Sequence, residues 1–262
     1  MCLWAQARHL RWKLNVTTVH GVDFSGADSG GSAKIVIASR QDDDPVVIRR
    51  GIDRSRLRSL ILESADSSSL DLWRIDAPFS LPQVVFERHD IDLDWMALAH
   101  WMDSFETARD WRRALRAVNR KEPKRACDRA ARTPMAPMNL RVFKQTWTVV
   151  CEILLPLAEE GLHIAPVHVT DSSSIITEGC PASVLGFRGE SSRGYKGRDD
   201  ANQQRRLDLS RRLADWGVPL SAEDQRAAAG DPEGDVLDAL LLLAEPASLI
   251  PPVEARVEAW VW

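Results

Sequence analysis

Acidic residues occupy several positions where the surrounding sequence predicts a buried strand or helix. Asp23 follows the β-rich run "TVHGV", Asp76 ends "LWRID" ahead of a proline, and Glu178 lies near the end of "IITEG". Asp235 and Asp238 are three residues apart in "GDVLDALLLLA", so a helix would present both on one face. We therefore expect these carboxylates to gather at the ends of neighbouring strands and at the start of the last helix.

Gathered carboxylates repel one another, and burial strengthens that repulsion, so such a cluster needs either a cation or bound protons. Hard divalent ions prefer carboxylate oxygen, which makes Mg²⁺ or Mn²⁺ the expected cofactor. The pattern predicts Asp23, Asp76, Asp235 and Asp238 as metal ligands, and these four with Glu178 as catalytic acids. Singly, each has a simpler interpretation: aspartate is also common in turns and in the first turn of a helix, and Glu178 could instead pair with a nearby arginine.

The apolar patterning predicts an α/β fold. Three β-rich runs, residues 19–23, 33–39 and 45–50, are separated by short turns and predict consecutive antiparallel strands. A helical pattern after Asp53 then leads to a strand in "DLWRIDAP", and "SSSIITEG" predicts another. Further helices are predicted over residues 201–216, 221–229 and 234–244, and "EARVEAWVW" is predicted as an edge strand.

Residues 92–161 are predicted to form a helical, basic insertion within a single domain of residues 1–262. Its basic stretch contains Arg109, Arg112, Arg113, Arg116, Arg120, Lys121, Lys124, Arg125, Arg129 and Arg132. A basic segment beside an acidic metal centre suits a phosphate backbone, because the metals act on one phosphate while arginines hold its neighbours. We therefore predict substrate contacts from Arg112, Arg116, Lys124 and Arg125. The alternative is that the run is a solvated helix face.

Composition narrows the class of protein. The chain has 262 residues, 44% of them hydrophobic, and a formal net charge of −4, which does not by itself indicate a nucleic-acid binder. Its four cysteines form no CxxC pair and its six histidines no HxH or HExxH pattern, so neither a disulfide framework nor histidine-bound zinc is expected. No signal sequence or membrane-spanning run is predicted, so we expect a cytoplasmic protein without a membrane partner.

The runs "GVDFSGA", "RIDAPFSLP", "ITEGCPAS" with "GYKG", and "GDVLDALLLLA" resemble a group of uncharacterised predicted nucleases with a ribonuclease-H-like fold. That resemblance implies a five-stranded mixed sheet, three antiparallel strands and then two parallel ones, flanked by helices. It implies a metal site formed by Asp23, Asp76, Asp235 and Asp238. The last helix is similar to that of Holliday-junction resolvases, and Glu178 and Lys196 match positions of the narrower group, which adds Lys196 to the predicted substrate contacts.

These observations predict a divalent-metal-dependent nuclease or phosphodiesterase acting on DNA or RNA. Two alternatives stay open. "GVDFSGADSGG" is also similar to the first hairpin of actin-type and sugar-kinase-type phosphotransferases, although no second glycine-rich phosphate loop follows. The chain is alternatively a nucleic-acid-binding module that kept the fold without the chemistry.

Overall fold

The computed structural model describes residues 16–27, 33–67, 69–245 and 251–262. The amino-terminal segment, for which no signal sequence is predicted, and most of the glycine-rich turn that follows Asp23 lie outside these residues. The described cysteines, Cys127, Cys151 and Cys180, are free thiols. Within the described ranges, no helix has both the length and the apolar character needed to cross a bilayer.

A mixed sheet of six strands forms the centre of the fold. The strands are β1 (Val16–Asp23), β2 (Ile35–Gln41), β3 (Val47–Ile52), β4 (Leu70–Asp76), β5 (His163–Ala165) and β6 (Ser174–Gly179), in the order β3-β2-β1-β4-β6-β5. The first three strands pair antiparallel, whereas β4, β6 and β5 run parallel to β1. The prediction of an α/β fold with a mixed sheet is confirmed.

The predicted count of five strands is wrong, because a sixth strand, β5, pairs with the outer edge of β6. It has only three residues, and Pro166 follows it directly. A strand this short shows no alternation, and a proline cannot extend its hydrogen-bonded ladder. The edge position explains both properties.

Helices cover both faces of the sheet. They are α1 (Arg54–Ala65), α2 (Gln83–Arg88), α3 (Trp95–Asp103), α4 (Ala108–Val118), α5 (Ala126–Ala130), α6 (Phe143–Thr148), a π-helix (Val149–Leu154), α7 (Leu155–Glu159), α8 (Pro181–Phe187), α9 (Asp200–Arg212), a 3₁₀ helix (Leu213–Trp216), α10 (Ala222–Ala229), α11 (Asp235–Leu241) and α12 (Ala255–Glu258). The segment predicted as an insertion thus contains α3 to α7, between β4 and β5.

Strand β2 shows how the two faces of the sheet are filled. Ile35 and Ile37 pack on one side with α1, α3 and the π-helix, whereas Val36 and Ala38 pack on the other side with α9 and α11. A continuous apolar run is typical of a strand buried on both faces. The sheet is therefore the middle layer between two hydrophobic cores.

The packing of α11 against β1 positions the candidate site. A side chain on Gly21 would place its Cβ 2.1 Å from the carbonyl oxygen of Ala239, so only glycine lets the helix approach this closely. Asp238 precedes Ala239 in α11, and Asp23 lies two residues beyond Gly21 in β1. The close contact therefore holds two of the predicted acids side by side.

The predicted edge strand at the carboxyl end is wrong. Residues Ala255–Glu258 form α12, and only Val261 makes a single parallel bridge, to Glu178. The Glu258 carboxylate accepts hydrogen bonds from the backbone N–H groups of Gln83 (2.7 Å) and Ala126 (2.6 Å), which fixes the helical turn against α2 and α5. These long-range bonds outweigh the local preference of valine and tryptophan for strands.

Candidate metal centre

Three of the predicted acids converge at one edge of the sheet. Asp23 is the last residue of β1 and Asp76 is the last residue of β4, its parallel neighbour. Asp238 reaches the same point from α11, and oxygen atoms of the three carboxylates lie within 4.8 Å of one another. We call Asp23, Asp76 and Asp238 the acidic trio.

The trio has little compensating positive charge. Asp238 accepts hydrogen bonds from the Tyr195 hydroxyl (2.8 Å) and the Lys196 ammonium (2.7 Å). No donor in the described part of the chain reaches the side chains of Asp23 or Asp76. Two of the three carboxylates are therefore available to bind a cation.

Burial and mutual repulsion make the trio difficult to ionise. Burial, followed by the charge of Asp238, raises the pKa of Asp76 from 3.8 to about 8. Burial together with Asp238, Asp235 and Asp76 raises the pKa of Asp23 well above its ordinary value. Burial also raises the pKa of Asp238, although Lys196 counteracts it. A bound cation would remove this penalty, because it favours the charged form of each carboxylate.

The structure brings Asp235 into the same cleft as the trio but not into its group of converging oxygens. Burial and the neighbouring Asp231 raise the pKa of Asp235. Asp231 itself accepts a hydrogen bond from the backbone N–H of Val236 (2.8 Å), at the start of α11. Asp235 is thus at the margin of the trio rather than at its centre.

Glu178 is bound to a different group. Its carboxylate accepts hydrogen bonds from both terminal nitrogens of Arg125 (2.7 and 2.5 Å) and from the backbone N–H of Phe79 (2.9 Å). Arg125 also pairs with Asp128 at 2.8 Å, and all three charged side chains are buried. Carboxylate oxygens of Glu178 and Asp128 approach the Cys127 sulfur closely enough for a shared metal, but both carboxylates already pair with the Arg125 guanidinium.

The predicted phosphate contacts on the basic segment have internal partners. Arg112 donates to the Met138 carbonyl (3.3 Å) and pairs with Glu122, as Arg116 does at 4.0 Å. Lys124 donates to the Thr133 carbonyl at 2.6 Å. The structure does not bring these three basic residues to the cleft. Arg125 does line the cleft, but it is buried and paired, whereas Lys196 lies beside the trio.

Gln145 is a site residue that sequence reasoning missed. Its side-chain amide donates to the carbonyl oxygens of Phe24 (2.8 Å) and Asp76 (2.5 Å), and so bridges the ends of β1 and β4. A Cβ on Gly26 would lie 2.4 Å from the Cα of Gln145, so α6 packs directly on the turn after β1. A single glutamine in the short helix "FKQTWT" carries no sequence signal for this role.

The acidic trio lies in a cleft of about 960 Å³. Its donor set is three carboxylates, without a histidine or cysteine from the described chain, and these hard oxygen ligands fit Mg²⁺ or Mn²⁺ better than a soft metal. No protein-family model, curated protein or solved structure matches the chain. The chemistry of the site therefore has to follow from its own residues and their geometry.

Proposed function

We propose that this chain is a divalent-metal-dependent phosphodiesterase acting on nucleic acid, with a ribonuclease-H-like fold. The observation that carries the proposal is the convergence of Asp23, Asp76 and Asp238 at the ends of adjacent parallel strands, with Lys196 as the nearby cation. The strand order β3-β2-β1-β4-β6 supports the fold, since three antiparallel strands are followed by two parallel ones. Strand β5 is an addition to that pattern.

Each residue has a role that its contacts support. Asp23 and Asp76 would hold Mg²⁺ or Mn²⁺, with Asp238 as the third carboxylate. When bound, the ion acidifies water and stabilises negative charge on the reacting phosphate and the leaving oxygen. Tyr195 and Lys196 orient Asp238, one on each carboxylate oxygen. Because the Lys196 side chain is 51% exposed, its ammonium is accessible to a phosphate oxygen that enters the cleft.

A small diester tests the proposed chemistry at the acidic trio alone, because it needs no contacts with the rest of the cleft. We expect the purified protein to hydrolyse bis(p-nitrophenyl) phosphate in Mn²⁺ and to stop when EDTA is added. Asp23→Asn should lower kcat at least about 100-fold, because it removes one anionic ligand while keeping nearly the same shape. Asp171→Asn is the matched control, since Asp171 is exposed and outside the cleft.

Three results would overturn the proposal. Hydrolysis that survives in Asp23→Asn would belong to another enzyme in the preparation. ATP turnover with every diester intact would favour the kinase-type alternative. Nucleic-acid binding that neither cleaves nor responds to Asp23→Asn would favour the non-catalytic module.

A further inference from the structure

Lys34, Arg141 and Arg193 line the cleft of the acidic trio, as Lys144 does, and none of them was predicted from the sequence as a site residue. Lys34 immediately precedes β2, Arg141 lies just before α6, and Arg193 lies in the connection between α8 and α9. All three are exposed, and their side chains make no ion pair or hydrogen bond with the described part of the chain. We call Lys34, Arg141 and Arg193 the basic wall.

The basic wall contrasts with Arg125 and Lys196, two other cations in the lining of the cleft. Arg125 is used within the protein by Glu178 and Asp128, and Lys196 by Asp238. The cations of the wall come from three separate segments of the chain, so no single helix explains their common location. Unpaired cations that surround an acidic floor are suited to an anion that extends beyond the reacting group.

We propose that the basic wall binds the phosphates on either side of the reacting phosphate, and that the ligand is a single-stranded polynucleotide rather than a small phosphate ester. This inference rests on the proposed function, because it takes the acidic trio as the reacting centre. A monoester or a mononucleotide is small enough to be held by the trio and Lys196 alone. It would leave the three cations of the wall without a ligand.

The depth of the trio favours a single strand over a duplex. Asp238 is 2% exposed, and Asp23 and Asp76 are half-buried, so the reacting phosphate has to enter the cleft to reach the trio. A flexible single strand can lie along a positively charged groove with its phosphates facing the cations. Proteins that bind single strands without sequence preference use such grooves. A duplex holds its phosphates on the outside of stacked bases and would have to deform to present one at this depth.

The aromatic residues of the cleft indicate that the ligand's base sequence has little effect. Phe24 and Tyr195 line the cleft, but they are 3% and 4% exposed, and the Tyr195 hydroxyl is used by Asp238. Neither offers an open ring face on which a base could stack. The basic wall therefore contacts the charged backbone, and the affinity from such contacts does not depend on the base sequence.

Strand binding in EDTA tests the inference separately from the chemistry. The probe is a fluorescent oligo(dT) of about a dozen nucleotides, with anisotropy as the readout. Replacing Lys34, Arg141 and Arg193 together with alanine should raise Kd at least about tenfold and reduce the salt slope by about 2, since each single-strand phosphate contact contributes about 0.7. The control triple variant Arg109→Ala, Arg120→Ala and Lys121→Ala removes the same charge from exposed positions outside the cleft, and its Kd should change less than about threefold.

The outcomes separate this inference from the proposed function. The wall variant should keep its kcat on bis(p-nitrophenyl) phosphate, and oligo(dC) should bind the native protein as oligo(dT) does. An equal loss of strand binding in both triple variants, no loss in either, or tighter binding of duplex than of single strand would each overturn the inference while leaving diester hydrolysis intact. If the native protein does not hydrolyse the diester, but the wall variant loses strand binding as expected, the proposed function is contradicted instead.

Discussion

Replacing Asp76 with asparagine should stabilise the metal-free protein at neutral pH, although it removes a residue of the proposed active site. In the folded state the pKa of Asp76 is raised from 3.8 to about 8, first by burial and then by the charge of Asp238. A raised pKa means that folding favours the protonated acid. The wild-type protein therefore has this contribution in full below about pH 4 and loses it as the pH rises to about 8.

The size of the effect follows from that difference in pKa. Between its ordinary value and pH 7, the raised pKa corresponds to an upper limit of about 4 kcal/mol in the free energy of unfolding. Water in the cleft reduces the cost of burying the charge, and the ammonium of Lys196 offsets part of the repulsion from Asp238. We expect Asp76→Asn to gain about 1–3 kcal/mol at pH 7 in EDTA, and to gain nothing at pH 4.

Urea unfolding is followed by circular dichroism from pH 4 to pH 8.5, with and without Mn²⁺. It measures the stability of Asp76→Asn relative to the native protein in both conditions. In Mn²⁺ the native protein should instead be the more stable of the two, because it gains binding free energy that the variant lacks. That gain is about 2.7 kcal/mol when Mn²⁺ is in hundredfold excess over Kd. Asp171→Asn should change neither series. If Asp76→Asn destabilises the protein equally at every pH, burial and the charge of Asp238 do not raise the pKa of Asp76 in the folded protein.

Three further substitutions test the contacts that support the site. Arg125→Met should cost about 3–5 kcal/mol in urea unfolding because it leaves Glu178 buried without its partner, and the double variant with Glu178→Met should recover part of that loss. Gln145→Ala should lower kcat on the small diester about tenfold with little change in KM, since it releases the bridged strand ends, and an unchanged kcat would show that the bridge is not needed. Gly21→Ala should lower the melting temperature by several degrees because its Cβ would meet α11 at 2.1 Å, and an unchanged melting temperature would show that the helix shifts freely.

The sequence was informative where local patterns coincide with tertiary contacts. The strands β1 to β4 and β6 have apolar runs bounded by turns, and parallel pairing of β1 with β4 brings Asp23 and Asp76 together. Strand β5 could not be predicted, because a three-residue edge strand has no periodicity. The turn of α12 could not be predicted either, because it depends on hydrogen bonds between Glu258 and distant backbone groups.

Some site residues could likewise be predicted from local sequence patterns, whereas others depend on tertiary contacts. The acids at strand ends have a recognisable pattern, but nothing in the sequence indicates that Arg125 pairs with Glu178, 53 residues away. A charge run is visible to a reader of the sequence, whereas single cations on separate segments, such as Arg141 and Arg193, become a group only in the folded chain. Ion pairing and the shape of the cleft are tertiary properties, so they decide which basic side chains stay available.

Direct titration of Mn²⁺ into the metal-free protein tests the central claim that Asp23, Asp76 and Asp238 form a cation site. Calorimetry should show binding that strengthens from pH 6 to pH 8.5, because Mn²⁺ displaces protons from carboxylates with raised pKa values. Asp23→Asn should weaken that binding at least about tenfold, and Asp171→Asn should leave it unchanged. Absence of Mn²⁺ binding, or equal affinity in the native protein and Asp23→Asn, would contradict the account.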